Sequence, residues 1–407
     1  MRIRAFRAWR AAAGMEAEIA SPPYDVVDRA EALKFAGDNP KCFLRVSRAE
    51  IEFPPESDPY APAVYTRAAT NWGSFVDRGW FAQDPAPGLF FYRQSVGAHA
   101  QTGVVALYHV GDYERGIIKK HEKTRQKPED DRSRHVLTTG IQSGPVFLAY
   151  RDEAAVSTLA QTACAAAPLC DFTAPDGIRH TVWSAPDPEA VVRAFGAVPC
   201  AYIADGHHRA AAGRRAARER AAANPGAGPD AEFNWVLAVF FPASSLRILA
   251  YNRSVKDLNG LTEAQFMDAV RSRFDVTPVS DPVPARAGEV CMGLPGGWHR
   301  LRWPAPVEGA DPVASLDVSV LQDRLLAPVL GIDDPRSNER IAFVGGIRGT
   351  AELERRLRDG RVSVVFSVHP VGIGQLMAVA DADRIMPPKS TWFEPKLRSG
   401  LIVHALD

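Results

Sequence analysis

The sequence predicts an α/β fold of the mixed α+β kind, and three observations carry that expectation. Pro199 is followed by the short apolar run Cys200-Ala201-Tyr202-Ile203-Ala204 and then, after Asp205 and Gly206, by an Ala-rich stretch to Ala223 with arginines at helical spacing. That is a buried strand running into a helix. The last hundred residues alternate strand-like and helix-like segments: Ile341–Val344, Thr350–Arg358, Val362–Val368 and Gly372–Ala380. Leu89–Gln94 and Gln101–Val110, with Gly97 between them, read as a hairpin, which adds an antiparallel component.

The elements follow in order. Residues 1–20 suit a strand and a loop. Ser21-Pro22-Pro23-Tyr24-Asp25 comes next, and its two prolines impose an extended backbone. Asp25 is then held on a stiff loop, either as a site residue or as part of a rigid turn into a helix near Asp28–Gly37. Residues 47–65 are Pro-rich and acidic and suit a surface connection. A helix over Tyr60–Arg78 ends at Gly79. The run Lys119–Arg132 carries charge of both signs. It suits a solvated helix face or loop, as most charge runs do. The sharper reading gives Glu122 the task of a base and Lys127 and Arg132 that of holding phosphate. His121-Glu122 is not a zinc-protease motif, because Arg125 stands where the second His belongs.

Pro145–Tyr150 reads as a short strand, residues 153–166 as a helix, and Trp235–Phe241 and Leu246–Tyr251 as strands. Pro and Gly cluster over 278–310, which predicts a boundary or an irregular segment. Gly345-Gly346-Ile347-Arg348-Gly349 lacks the full dinucleotide spacing and reads as a tight turn. Near the end, Pro387-Pro388 stiffens the approach to Lys389, Ser390 and Thr391, one cation and two hydroxyls that suit a phosphate or a carboxylate. The competing reading has this loop pack Trp392 and Phe393 onto the core. The expected domains are an N-terminal α+β extension over 1–115, a core over 116–277 and a C-terminal α/β part over 278–407.

The junction at 205–209 holds the most chemistry. Asp205 stands where an N-cap belongs, and Gly206 permits a tight strand-to-helix turn. The first-turn amides, flanked by His207, His208 and Arg209, then offer a site for an anion such as phosphate. Arg214 and Arg218, four apart on the helix, suit a solvated face.

Composition narrows the classes. The chain has 407 residues, enough for about two or three domains, and 48 basic residues balance 48 acidic ones. Zero net charge argues against a general nucleic-acid binder. The five cysteines form no CxxC pair, which fits a reducing cytoplasm and no structural zinc. Met1–Ala20 lacks the apolar core of a signal peptide, and no apolar run of about 18 residues could span a membrane. There is no P-loop and no protein-kinase signature set.

Three motifs in order, His121-Glu122, Asp205-Gly206-His207-His208-Arg209 and Pro388-Lys389-Ser390-Thr391, resemble those of the bacterial and archaeal domain of unknown function 1015 family. Pro22-Pro23-Tyr24-Asp25-Val26 and the Met386–Phe393 segment belong to the same resemblance. The family is similar, more distantly, to the free-serine kinases of archaea, whose core is of the ParB/sulfiredoxin kind. That second likeness covers roughly 116–215 and 340–395. It implies a ParB/sulfiredoxin-like mixed-sheet core with an N-terminal extension and a C-terminal α/β part.

The resemblance also implies roles. Glu122 is the general base for a serine hydroxyl, and Asp205 and His207 are catalytic partners. Gly206, His208 and Arg209, with Lys127 and Arg132, handle the phosphate or nucleotide. Lys389, Ser390 and Thr391, with Asp25, hold substrate. Mg²⁺ on the phosphates, with Asp205 as a ligand, and ATP or ADP as donor are implied with them. The spacing from Glu122 to Asp205 is much longer here than in the archaeal kinases, and residues 1–100 have no clear counterpart there. The expected activity is transfer of phosphate between a nucleotide and a small hydroxy amino acid, free L-serine or O-phosphoserine, in a cytoplasmic protein compatible with a homodimer. The alternatives are a phosphoserine phosphatase using the same site and a non-catalytic, nucleotide-sensing ParB-like binding protein.

Overall fold

A computed structural model describes residues 1–307 and 309–407. The chain forms two compact units: Met1–Leu246 with Pro395–Asp407, and Arg247–Glu394. Residues 1–115 and 116–246 thus lie in one unit, which the chain leaves and re-enters.

The first unit is built on a mixed nine-stranded sheet. Its strands run in the order Ile118–Lys119, Ala201–Asp205, Val146–Tyr150, Trp235–Pro242, His99–His109, Phe90–Val96, Arg179–Ser184 and Cys170–Thr173, with Ile3–Arg4 paired beside His99–His109. Ala201–Asp205 is parallel to Ile118–Lys119, and Trp235–Pro242 is parallel to Val146–Tyr150. The other neighbours are antiparallel. The 90–109 hairpin forms as expected, in a register that sets Gln94 opposite Gln101. A buried core of Tyr108, Tyr150, Phe195 and Phe240 lies against this sheet. The long helix His207–Ala223 packs close because it is small on its inner face. Ala210, Ala216 and Ala217 are buried, and a Cβ on Gly213 would lie 2.8 Å from Val236. A second sheet of four short strands, Phe81–Gln83, Trp9–Ala11, Ile402–Ala405 and Ile141–Gln142, takes one strand from the chain's last segment.

Local signals place several helices well. Asp28 caps Arg29–Ala36 through a capping box with Glu31. Pro62 opens Pro62–Asp77, where its missing N–H is no loss.

The second unit carries a six-stranded sheet in the order Asp275–Val279, Gly297–Arg302, Glu289–Leu294, Val364–Val368, Tyr251–Val255 and Ile341–Gly345. Every neighbouring pair is antiparallel. The alternation of strands and helices after residue 340 is present, but the strands do not run parallel. The 278–310 stretch is not irregular throughout, because two of these strands occupy 289–302. Leu294 pairs with Gly297, so Pro295 and Gly296 make a tight hairpin turn rather than a boundary. The strand expected over Leu246–Tyr251 divides into Ile248–Leu249, which pairs with Trp392–Phe393, and the start of Tyr251–Val255.

Candidate functional site

The pairing of Ala201–Asp205 with Val146–Tyr150 slips between Ile203 and Asp205. Such a bulge re-aims the side chain at the strand's end. Gly206 follows at φ 93°, and the helix His207–Ala223 begins at once. Glycine is required there on two counts. The left-handed conformation strains any other residue, and a Cβ would lie 3.0 Å from the Cζ and Nε of Arg209. The N-cap position belongs to Gly206, with no side-chain capping bond. The expectation that Asp205 caps the helix is therefore corrected: its carboxylate is taken up by two cations instead.

Asp205 Oδ2 accepts from Arg209 Nη2 at 2.5 Å, and Oδ1 accepts from Lys396 Nζ at 2.7 Å. The side chains of Arg209 and Lys396 are 7% and 14% exposed. Burial pushes the Asp205 carboxyl up, but Lys396 and Arg209 outweigh it and hold the carboxyl well below its usual range. Arg209 also donates through Nη1 to the Pro145 carbonyl, and the Asp25 carboxylate lies 3.6 Å from its Nη2. Most of its donors thus engage protein groups, which makes Arg209 a strut that fixes Asp205 and draws in the Pro22-Pro23-Tyr24-Asp25 loop.

Two imidazoles meet beside this pair. His121 and His207 are both buried, and their rings touch edge to face with centroids 4.6 Å apart. Burial pushes His121 down to about 4, against the pull of Asp205 and a hydrogen bond with the Ile203 backbone. His207 is pushed well down by burial and then by His121. Both are neutral at pH 7, and His207 Nε2 is enclosed with no hydrogen-bond partner among the described residues. His208 is half-buried, and its Nε2 accepts from the Arg125 backbone N–H at 3.1 Å. The loop 121–125 is thus fastened to the helix start at both ends, and half-buried Glu122 lies within it.

The remaining expected residues divide. Arg132 pairs with Asp131 at 2.7 Å, donates to the Ser47 carbonyl and stacks 4.1 Å over Tyr24. It lines a cavity of about 40 Å³ together with Tyr24, His135 and Arg209, room enough for ordered water. Lys127 is exposed, with its ammonium 4.4 Å over the Tyr60 ring. Lys389, Ser390 and Thr391 belong to the second unit. Lys389 Nζ lies 5.7 Å over the Tyr251 ring, and Ser390 Oγ donates to the Pro387 carbonyl at 2.7 Å.

Sequence reasoning missed Lys396 and the part played by His121 against His207. It also missed what sets Lys396 in place. Gln94 Nε2 donates to the Lys396 carbonyl at 2.7 Å, and Gln101 Nε2 to the Pro395 carbonyl at 3.3 Å. Gln94 and Gln101, facing each other across the hairpin at buried positions, were the available signal, since buried amides need partners.

No group of three or more His, Cys, Asp or Glu among the described residues is arranged to hold a metal ion. Asp205 does not suit the Mg²⁺ expected there, because a cation would face Arg209 and Lys396. The five cysteines are free, and no helix among the described residues is long and apolar enough to cross a membrane.

The sequence profile of the family described as "Protein of unknown function (DUF1015)" matches residues 3–319. The chain belongs to the DUF1015 family. The matched span holds the Asp25 loop, Glu122 and the 205–209 turn, while Lys389–Thr391 and Lys396 of this DUF1015 chain lie beyond it. No curated protein matches the chain. Among solved structures it is similar to a conserved hypothetical protein from Pyrococcus furiosus, at 12% identity over 72% of this chain and 93% of that one, with a TM-score of 0.37. It is similar to a free serine kinase in complex with AMP, at 11% identity over 71% and 86%, with a TM-score of 0.36. A third is C-terminally truncated SbnI from Staphylococcus aureus, at 10% identity over 72% and 85%, with a TM-score of 0.40.

Proposed function

We propose that this protein is a phosphotransferase that moves phosphate between a nucleotide and a small hydroxy amino acid, with free serine and O-phosphoserine as the leading pair. The observation that carries the reading is the fastening of the Glu122 loop to the 205–209 turn through His121 on His207 and His208 on Arg125. Phosphoryl transfer asks a protein for positioning and charge stabilisation more than for covalent help. In this reading the serine hydroxyl oxygen bonds to the terminal phosphorus of the nucleotide. The bond from that phosphorus to the leaving phosphate oxygen breaks, and Glu122 receives the hydroxyl proton. The first-turn amides of the His207–Ala223 helix receive the transferring oxygens. Arg209 and Lys396 keep Asp205 ionised beside them.

Phosphorus NMR of the protein with serine or O-phosphoserine and ATP, ADP or pyrophosphate in turn, in buffer containing MgCl₂, tests this. Transfer is expected with at least one pair, and Glu122→Gln is expected to slow it on the order of 10²- to 10⁴-fold, the usual worth of a positioned base. No transfer with any pair overturns the reading. Phosphate release from O-phosphoserine without nucleotide would select the hydrolase instead. Tight nucleotide binding without turnover would select a binding module.

A further inference from the structure

In the second unit, Tyr251–Val255 is an inner strand, with Arg253 opposite Phe343 on one neighbour and Phe366 on the other. Arg253 is 3% exposed. Its guanidinium lies 5.2 Å from the Phe343 ring centroid, and Nη1 donates to the Tyr251 carbonyl. No carboxylate among the described residues pairs with it, and burial pushes it down to about 10. The same unit handles another buried charge quite differently. Glu289, 1% exposed, is surrounded by Arg286, Arg300 and Arg302. A buried ion without a counter-ion is strongly destabilising, and Arg253 is left in that state.

A second cation stands close by. Tyr251 lies on the same strand face two residues earlier, and its ring carries Lys389 Nζ at 5.7 Å. The ring also meets Phe343 edge-on at 6.0 Å and Trp392 at 5.3 Å. Lys389 is held at φ 56°, a left-handed conformation that costs a side chain energy. The fold makes room for this arrangement, because a Cβ on Gly345, opposite Tyr251, would lie 2.8 Å from the Trp392 ring. The Gly345-Gly346 turn therefore serves packing under Trp392.

We propose that Arg253 and Lys389, meeting at Tyr251, form a binding site in the second unit for the phosphate group of a small molecule. Two positive charges match a phosphate dianion, whereas a carboxylate would leave one unmatched. The planar guanidinium offers paired donors to phosphate oxygens, and the hydroxyls of Ser390 and Thr391 adjoin Lys389 in sequence. The part played by Lys389, Ser390 and Thr391 rests on the phosphotransferase reading, and Arg253 is the addition to it.

The test is thermal unfolding of the full chain with inorganic phosphate against acetate at matched ionic strength. Phosphate is expected to raise the wild-type Tm and acetate is not. Arg253→Met is expected to unfold at or above the wild-type Tm without phosphate, since it removes an unmatched charge, and to lose the phosphate response. Lys389→Ala, at an exposed position, is expected to weaken phosphate about tenfold, the scale of one charge-assisted contact, and it decides the matter alone if Arg253→Met does not fold. His208→Ala is expected to keep the response, which separates this site from the 205–209 turn. Arms with O-phosphoserine and AMP show by tighter binding which kind of molecule brings the phosphate. A wild type indifferent to phosphate, an Arg253→Met variant that responds normally, or a response lost in His208→Ala but kept in Lys389→Ala overturns the proposal.

Discussion

Lys396 and Asp205 lie 191 positions apart in the chain, and a 2.7 Å ion pair joins them. The lysine is delivered by a backbone that Gln94 and Gln101 hold, and it takes the one carboxylate oxygen that Arg209 leaves. Both cations act on this half-buried carboxylate, Lys396 the more strongly.

Replacing Lys396 by Met leaves Asp205 with a single cation while keeping most of the side chain's volume. Removing one partner of a largely buried pair is expected to cost about 2–3 kcal/mol, measured by urea unfolding. A loss below about 0.5 kcal/mol would place the pair among ordinary surface contacts.

Gly206→Ala meets two obstacles, the left-handed backbone at φ 93° and the Arg209 guanidinium 3.0 Å from the new Cβ. Gly97, at φ 57° with nothing within 4 Å, meets only the first. The Gly97→Ala variant is expected to lose about 1 kcal/mol. The Gly206→Ala variant is expected to lose more and to lose activity with it. Equal losses would show that Arg209 gives way freely.

His208→Ala removes the acceptor for the Arg125 N–H. The expected result is faster hydrogen exchange at that amide, with a stability change of only about 1 kcal/mol, the net worth of one hydrogen bond. In turnover assays the change belongs mainly in kcat, since the loop carrying the proposed base Glu122 is looser. Unaltered exchange at Arg125 would show that the loop is held elsewhere.

Buried imidazoles set an acid limit on stability. Burial pushes His121 and His135 down to about 4 and His180 to about 3, from an ordinary 6.5. Each binds its proton more readily in the unfolded chain. Stability is therefore full above about pH 6.5 and falls as pH drops toward 4, by about 1.4 kcal/mol per pH unit for each group. His135→Gln is expected to flatten the urea-unfolding profile by about 2 kcal/mol between pH 6.5 and pH 5. An unchanged slope would mean that His135 takes up its proton within the fold.

Where a residue's role follows from its neighbours in sequence, the chain could be read directly. The 90–109 hairpin, the helix after Asp28, the strand before Asp205 and the helix after it were all legible from apolar runs, turn residues and alanine content. The direction of the strands in the second unit was not, because the alternation of elements says nothing about which strands pair. The antiparallel sheet depends on contacts such as Arg253 with Phe366, more than a hundred positions apart. Arg209 was visible as a cation in a turn, but its partners, Pro145 and Asp25, come from other segments. Lys389 attracted attention because two hydroxyls follow it, whereas Lys396, seven residues later, is set against Asp205 by amides about three hundred positions away that hold its backbone.

The excursion of the chain between Leu246 and Pro395 has a consequence for biosynthesis. The strand Ile402–Ala405 fills the place between Trp9–Ala11 and Ile141–Gln142. While the ribosome is still translating the intervening 148 residues, the earlier part of the polypeptide waits with an unfilled slot and Asp205 lacking its lysine. The later unit, being contiguous, can mature first, so assembly need not follow the order of synthesis.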